Sequence, residues 1–409
     1  MLLPRRSVLF FGFCFFLVLF LTTRNLSQPW ANVQQVVGLG DVIDSPAGKT
    51  GSRSATAGQP DQDSFASQPK FVPGIPNPPG QNYSKVVVLS QTKEEDTSWV
   101  DQLTDWQSAK YVVDDSSAPL HPPANKGHEV MVYLTYIIDH YDKLPDVAVF
   151  MHAHKTAWHN DPLLNGDSSQ VLRRLSLDRV IREGYMNTRC AGGPGCPDWM
   201  HLGAAEENEF KQEEVMLARS WGELFPDEPI PSVLAQPCCA QFALSGQRIR
   251  SIPRARFIFY RDWLLSTALS DFITGRVWEY IWQFVFTGKH SVCPVESVCL
   301  CDGYGFCFGG PDEFDAYRSL ESQQNELRNS LENWDSLSED IESAREKDEL
   351  NESTPLEVPE VGQNSQMIRE LAKLEKNVTD ILNAAIERGN NPKYRAQEAG
   401  RPWNEGDGF

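Results

Sequence analysis

The stretch NKGHEVMVYLTYIIDHYDKLPDVAVFMHAH, residues 125–154, decides the fold. A glycine turn at Asn125-Lys126-Gly127 opens a helix from about His128 to His140 that is apolar almost all round. Such a helix is buried on most faces. Leu144-Pro145-Asp146 turns the chain, because proline cannot continue the helix. Val147-Ala148-Val149-Phe150-Met151 is then a continuous apolar run of strand length, ending on His152, Ala153 and His154. Buried helix, tight turn and buried strand make one half of a βαβ unit.

Working outward supplies the other half. Val86-Val87-Val88-Leu89 is a β-branched run, a short helix follows around Trp99, Leu103 and Trp106, and Tyr111-Val112-Val113 is a second strand ending on Asp114-Asp115. Strands alternating with helices predict an α/β domain with a single, three-layer, mostly parallel sheet. In open sheets of that kind ligands bind beyond the carboxyl ends of the strands. Residues 91–96, Asp114-Asp115 and residues 152–161 should therefore share one crevice.

Further on, residues 168–184 read as an amphipathic helix, 211–224 as another, and 237–245 as a strand meeting a turn at Gly246. Residues 256–286 read as two buried helices broken near Thr274-Gly275. The predicted domain runs from 85 to 310. Before it, residues 24–84 are a Gly-, Ser- and Pro-rich stem with too little apolar area to offset ordering entropy. After it, residues 311–409 carry 23 acidic against 11 basic side chains, most of the net charge of −19. That tail has two heptad-like segments, 317–341 and 367–385. They suit either self-association or two solvated helices folding back, and the last 20 residues read as disordered. So acidic a chain is a poor match for nucleic acid, which is bound by neutralising phosphate.

The first 23 residues carry an address. Arg5 and Arg6 precede the apolar run Val8–Leu21. It is a signal anchor, giving a single-pass type II membrane protein of the Golgi or ER with its domain luminal, or a cleaved signal peptide of a secreted protein. Eight of nine cysteines fall within 190–307, an even number that reads as a disulfide set of open connectivity. Asn82, Asn351 and Asn377 open glycosylation sequons.

Candidate chemistry lies around the opening stretch. His152, His154, His159 and Asp161 are imidazoles and a carboxylate that could hold a divalent cation such as Mn2+. Asp114 and Asp115 end a strand, where a carboxylate can meet a ribose hydroxyl. Asn125, Lys126, Gly127 and Glu129 offer close backbone approach, a cation for phosphate and a carboxylate. Glu279, set in the apolar RVWEYIW, is a candidate general base. Each residue also has a structural reading, as a cap, a loop anchor or a salt-bridge partner.

Residues 125–154 together with CCAQFALSGQRIRSIP (238–253), GRVWEYIWQFVF (275–286) and the closing CP-x4-CLCDGYGFC (293–307) resemble a fungal family described as a domain of unknown function (3431). The resemblance spans about residues 85–310. The order of strand, glycine turn before a buried helix, strand ending in a short polar motif, Gln-Phe-x-small-Ser segment and late Glu is similar to GT-A-type glycosyltransferases. That similarity implies a nucleotide-sugar donor near Asp114, Asp115 and 125–127, a glycan acceptor and an acceptor base at Glu279. It also sets His152-Ala153-His154 where those enzymes carry an Asp-x-Asp metal motif. The alternatives are a non-catalytic glycan-binding or scaffolding protein on the same fold, and, further off, a metal-dependent hydrolase.

Overall fold

The computed structural model describes residues 69–206, 208–346 and 360–409. The apolar run of the N-terminus lies outside them. Among the described residues no helix is long and apolar enough to cross a membrane. The chain divides into two units. The first comprises residues 83–173 and 184–293 with the described residues before 74. The second comprises 74–82, 174–183 and 294–409.

The first unit is built on a five-stranded sheet. Its strands are β1 (Lys85–Gln91), β2 (Gln107–Val112), β3 (Val147–His152), β4 (Tyr185–Asn187) and, after a two-stranded ribbon of β5 (Met200–His201) and β6 (Val233–Leu234), β7 (Phe242–Ser245). The order is β2-β1-β3-β7-β4. β1 pairs parallel with β2 and with β3, whereas β7 runs antiparallel to both β3 and β4. The sheet is therefore mixed, not mostly parallel as the alternation of elements predicted. The reason is a late insertion: β7, reached after the 188–241 excursion, slots between β3 and β4 in the opposite sense.

The buried helix of the opening stretch is α1 (Val130–His140). Every residue from Val130 to Ile138 is buried, Thr135 included. Each such Val, Leu or Ile adds about 1.5–3 kcal/mol of burial. Val86, Val88, Ala148, Phe150, Phe242 and Leu244 share one core with α1. The alternate residues Val87, Leu89, Val149, Met151 and Ala243 are buried too, so the central strands are covered on both faces. The predicted helix around Trp99 is only a 3-10 turn, Ser98–Gln102, whose Trp99 Nε1 donates to Ala153 O at 2.7 Å.

Helices α2 (Ser168–Arg174) and α3 (Leu177–Glu183) replace the single helix expected over 168–184. α4 (Glu214–Leu224) and the short α5 (Gly246–Arg250) follow. Residues 254–287 form three helices rather than two: α6 (Arg254–Ser266), α7 (Asp271–Glu279) and α8 (Trp282–Thr287). Thr274-Gly275 lies inside α7. The break comes earlier, where Ser270 accepts from Ile273 N at 3.3 Å and caps α7.

In the second unit α9 (Glu296–Tyr304) is followed by α10 (Pro311–Glu346), α11 (Gln363–Gly389) and α12 (Pro392–Glu398). The last 20 residues thus include a helix, where composition predicted disorder. α10 and α11 pack on each other, with Arg328 and Glu375 3.2 Å apart. The buried Arg182 donates to Asp302 Oδ2 at 2.6 Å.

Disulfides join Cys196 to Cys293, Cys238 to Cys239 and Cys301 to Cys307. Several bridges in one chain indicate an oxidising, secretory-pathway or extracellular environment.

Candidate functional site

The parallel strands β2, β1 and β3 send their carboxyl ends the same way, and the loops beyond them are tied together. Lys93, in the loop after β1, donates its backbone N–H to Asp114 Oδ1 at 2.9 Å. Its ammonium sits 2.9 Å from Asp115 Oδ2. Ser117 and Lys93 hold the Asp115 carboxyl down at about 2, below the usual carboxylate range. In the same loop Glu95 accepts from Thr92 N and presents its other oxygen 3.3 Å from His154 Nε2. The convergence expected of the residues after the three strands is therefore present as named contacts.

Two of the predicted histidines meet. His152 Nδ1 and His159 Nε2 are 3.0 Å apart, so one ring donates and the other accepts. Burial, then His159, His154 and His128, push His152 well below its ordinary value. Burial, then Arg189 and His154, bring His159 down to about 4. Both rings are neutral at pH 7. His152 Nε2 is closed off from solvent and has no hydrogen-bond partner.

Asp161 does not join them. Its Oδ1 accepts from Leu163 N, and its Oδ2 accepts from Cys190 N and Ala191 N at 3.0 and 3.3 Å. Those bonds make it a backbone anchor between two loops. Among the described residues the sets of three ligand atoms lying within 4.8 Å of one another are Cys238, Cys239 and Glu279, and Cys301, Cys307 and Glu398. The histidines form no such set, so their arrangement does not fit a three-ligand cation site.

The glycine turn docks along one stripe of α7. Gly127 N donates to Asp271 Oδ1. A Cβ on Gly275 would lie 2.8 Å from the His128 ring, and Glu279 comes one turn later. Positions 271, 275 and 279 are four apart and share a helix face. Gly127 (φ 72) and His128 (φ 52) are both left-handed, a conformation costing a non-glycine residue about 1–2 kcal/mol. Lys126 donates to Thr267 O at 2.7 Å, and burial lowers its pKa. Asn125 is exposed, and Glu129 is the N-cap residue of α1. Burial raises the Glu279 carboxyl to about 7, against the nearby charge of Arg276.

Two residues escaped the sequence reading. His128, expected merely to start a helix, joins the turn to α7 and lies close enough to His152 to affect its charge. Its only signal was its place after Gly127. Gln241, 3 % exposed, is the clamp of the β3 exit. It accepts from His152 N at 3.0 Å and donates to Asn160 Oδ1 at 2.7 Å.

The neutral buried histidines make the fold sensitive to acid. An unfolded His159 takes up its proton near 6.5, whereas the folded one resists until about 4. Its contribution is whole above 6.5 and lost as pH falls, about 3 kcal/mol by pH 4. His152, pushed down by burial and by the neighbouring rings, adds to the loss, and the fixed charge of Arg189 faces His159. Urea titrations at pH 7.5 and 4.5 should show the loss, and His159→Asn should flatten it. Equal slopes in the two proteins would assign the acid response elsewhere.

No curated protein and no solved structure matches the chain. A family model described as a protein of unknown function (DUF3431) matches residues 87–302, from β1 into α9. That span includes the tied loops, the glycine turn, the histidines and the α7 stripe. The match covers more than half of the sequence, and the chain belongs to the DUF3431 family.

Proposed function

We propose that this protein is a GT-A-type glycosyltransferase that moves a sugar from a nucleotide-sugar donor to a glycan hydroxyl. One observation carries the reading. The loops after β1, β2 and β3 are joined by Lys93–Asp115 and Glu95–His154 at the carboxyl ends of parallel strands, the place where open sheets of this kind bind ligands. The glycine turn and the Asp271-Gly275-Glu279 stripe adjoin that rim through His128.

In this reading Asp114 and Asp115 take the ribose, and the bare backbone of Gly127 lets the diphosphate approach. Lys126, at the positive end of α1, meets the leaving charge. Glu279 takes the acceptor hydroxyl's proton while that oxygen bonds the anomeric carbon and the sugar–phosphate bond breaks. No step is routed through a cation at the histidines. The domain works in the lumen of the Golgi or ER, with residues 1–23 as its signal anchor.

The second reading, a non-catalytic glycan-binding protein, is favoured by a separate cleft of about 390 Å³. Tyr111, His121, Thr135, Asp139 and Arg261 offer it donors and acceptors, and Pro119 and Leu120 an apolar wall.

The test is a thermal-shift screen of the purified chain against UDP- and GDP-sugars, with and without Mn2+, followed by a transfer assay on the hits. A donor present at 100 times its Kd adds about 2.7 kcal/mol to stability, a plain rise in Tm. Lys126→Ala should weaken it. If no donor shifts the melt while free glycans do, the transferase reading fails and the binding reading stands.

A further inference from the structure

Cys238 and Cys239 are sequence neighbours joined to each other. In an extended chain neighbouring side chains point to opposite sides. Here Cys239 (φ 146) and Ala240 (φ 54) adopt left-handed backbone conformations, and both sulfurs lie on one side. Both are within 4.8 Å of a Glu279 carboxylate oxygen.

The surroundings hold this group in place. Cys238 N donates to Pro194 O at 3.0 Å, and Asn187 Nδ2 donates to Pro237 O at 2.6 Å. Gln236 ties the strand end to α7: its Nε2 donates to Glu279 O, and its Oε1 accepts from Tyr185 OH at 2.6 Å. The glycine loop closes the other side so tightly that a Cβ on Gly195 would stand 1.9 Å from Gln236 O. Cys238 is buried, while Cys239 and Glu279 are each partly exposed, so the group lies at the edge of the core.

We propose that Cys238, Cys239 and Glu279 form a redox-gated site for one thiophilic divalent cation of the zinc class. The gate is opened by a dithiol. Two electrons and two protons pass to the Cys238–Cys239 bridge, giving two thiols, and the dithiol leaves as its own disulfide. The cation then displaces the two thiol protons. It takes two thiolate sulfurs and one carboxylate oxygen from the protein and keeps a fourth position for water. Two sulfurs in the set select a soft ion over magnesium or calcium. In the oxidised chain Glu279 is unligated and open to the role given it above. In the reduced, loaded chain it is a ligand.

Cys301, Cys307 and Glu398 form a similar set, but both of those cysteines are buried, which makes them an internal control. The full chain would be reduced briefly with dithiothreitol, freed of it by gel filtration under nitrogen, and titrated with Cd2+. The thiolate-to-cadmium charge-transfer band reads binding directly. The band should saturate at one ion per chain, persist in Cys301→Ser/Cys307→Ser and vanish in Cys238→Ser/Cys239→Ser. Glu279→Gln should weaken the affinity about 10-fold or more. In the wild-type chain, bound Cd2+ should protect Cys238 and Cys239 from alkylation, read by peptide mass, an arm that needs no variant to fold. A reduced Cys238/Cys239 pair that alkylates equally with and without Cd2+ would overturn the proposal, as would a band unchanged by Cys238→Ser/Cys239→Ser.

Discussion

Glutamine at position 279 is expected to lower sugar transfer about 10²–10⁴-fold without lowering the melting temperature. The substitution keeps the shape of the side chain and removes the proton acceptor. Glu279 ends the α7 stripe whose earlier members hold Gly127 and abut His128, so its loss should leave donor binding intact and act on kcat. Stability should move the other way. Burial raises the Glu279 carboxyl to about 7, so the folded chain keeps that proton after an unfolded chain has released it near 4.5. The folded state therefore loses stability as pH climbs from 4.5 to 7. A neutral amide does not share that loss, and Glu279→Gln should melt at or above wild type at pH 8. Transfer at the wild-type rate by a well-folded Glu279→Gln protein would remove the residue from the mechanism. A lowered melting temperature would make its role structural.

Methionine at position 276 should cost about 3–5 kcal/mol, the largest single loss of stability among these variants. Glu213 is fully buried, and its Oε2 accepts from Arg276 Nε at 2.7 Å. Its Oε1 has no hydrogen-bond partner. Take the guanidinium away and a carboxylate remains in the core with no countercharge. The two residues lie 63 apart, and the pair fastens α7 to the loop that enters α4, so the damage should spread to the stripe carrying Glu279. Chemical denaturation should show the drop in midpoint. Glu213→Gln/Arg276→Met should recover most of it, because an unpaired charge costs more than a removed pair. A single-variant loss below about 1 kcal/mol would show that water reaches Glu213 and that the pair is not a buried one.

Much of the first unit was legible locally. The β-branched run at 86–89, the glycine turn, the apolar helix and the strand at 147–151 all declare themselves by period and punctuation. All four stand in the structure within a residue or two. Short elements were harder. The turn around Trp99 and the break at 267–270 depend on single caps and on what packs above them, which a hydrophobic pattern does not record.

The candidate site was legible as a place more than as a set of roles. His152 and His154 at the end of a buried strand marked the rim where the loops after β1, β2 and β3 are tied together, and Glu279 marked α7. Asp161, which looked like a ligand in the sequence, anchors the backbone of residues 190 and 191. No local pattern could show this, since its partners lie 29 and 30 residues away.

By itself the sequence determined an α/β domain whose third strand ends at a histidine-bearing loop after residue 151, an oxidising compartment written in clustered cysteines, and family membership. Tertiary structure alone decided the antiparallel seat of β7, the clamp of Gln241 on the β3 exit and the approach of His128 to α7. It also chose a bridge between adjacent cysteines out of the many pairings eight cysteines allow. The division is physical. Helix period, strand alternation and turn chemistry are set by residues within a few positions of each other. Strand order, charge pairing and the meeting of sulfur with carboxylate join residues 21 to 144 apart, and only the closed loops and packed core of the whole unit bring them together.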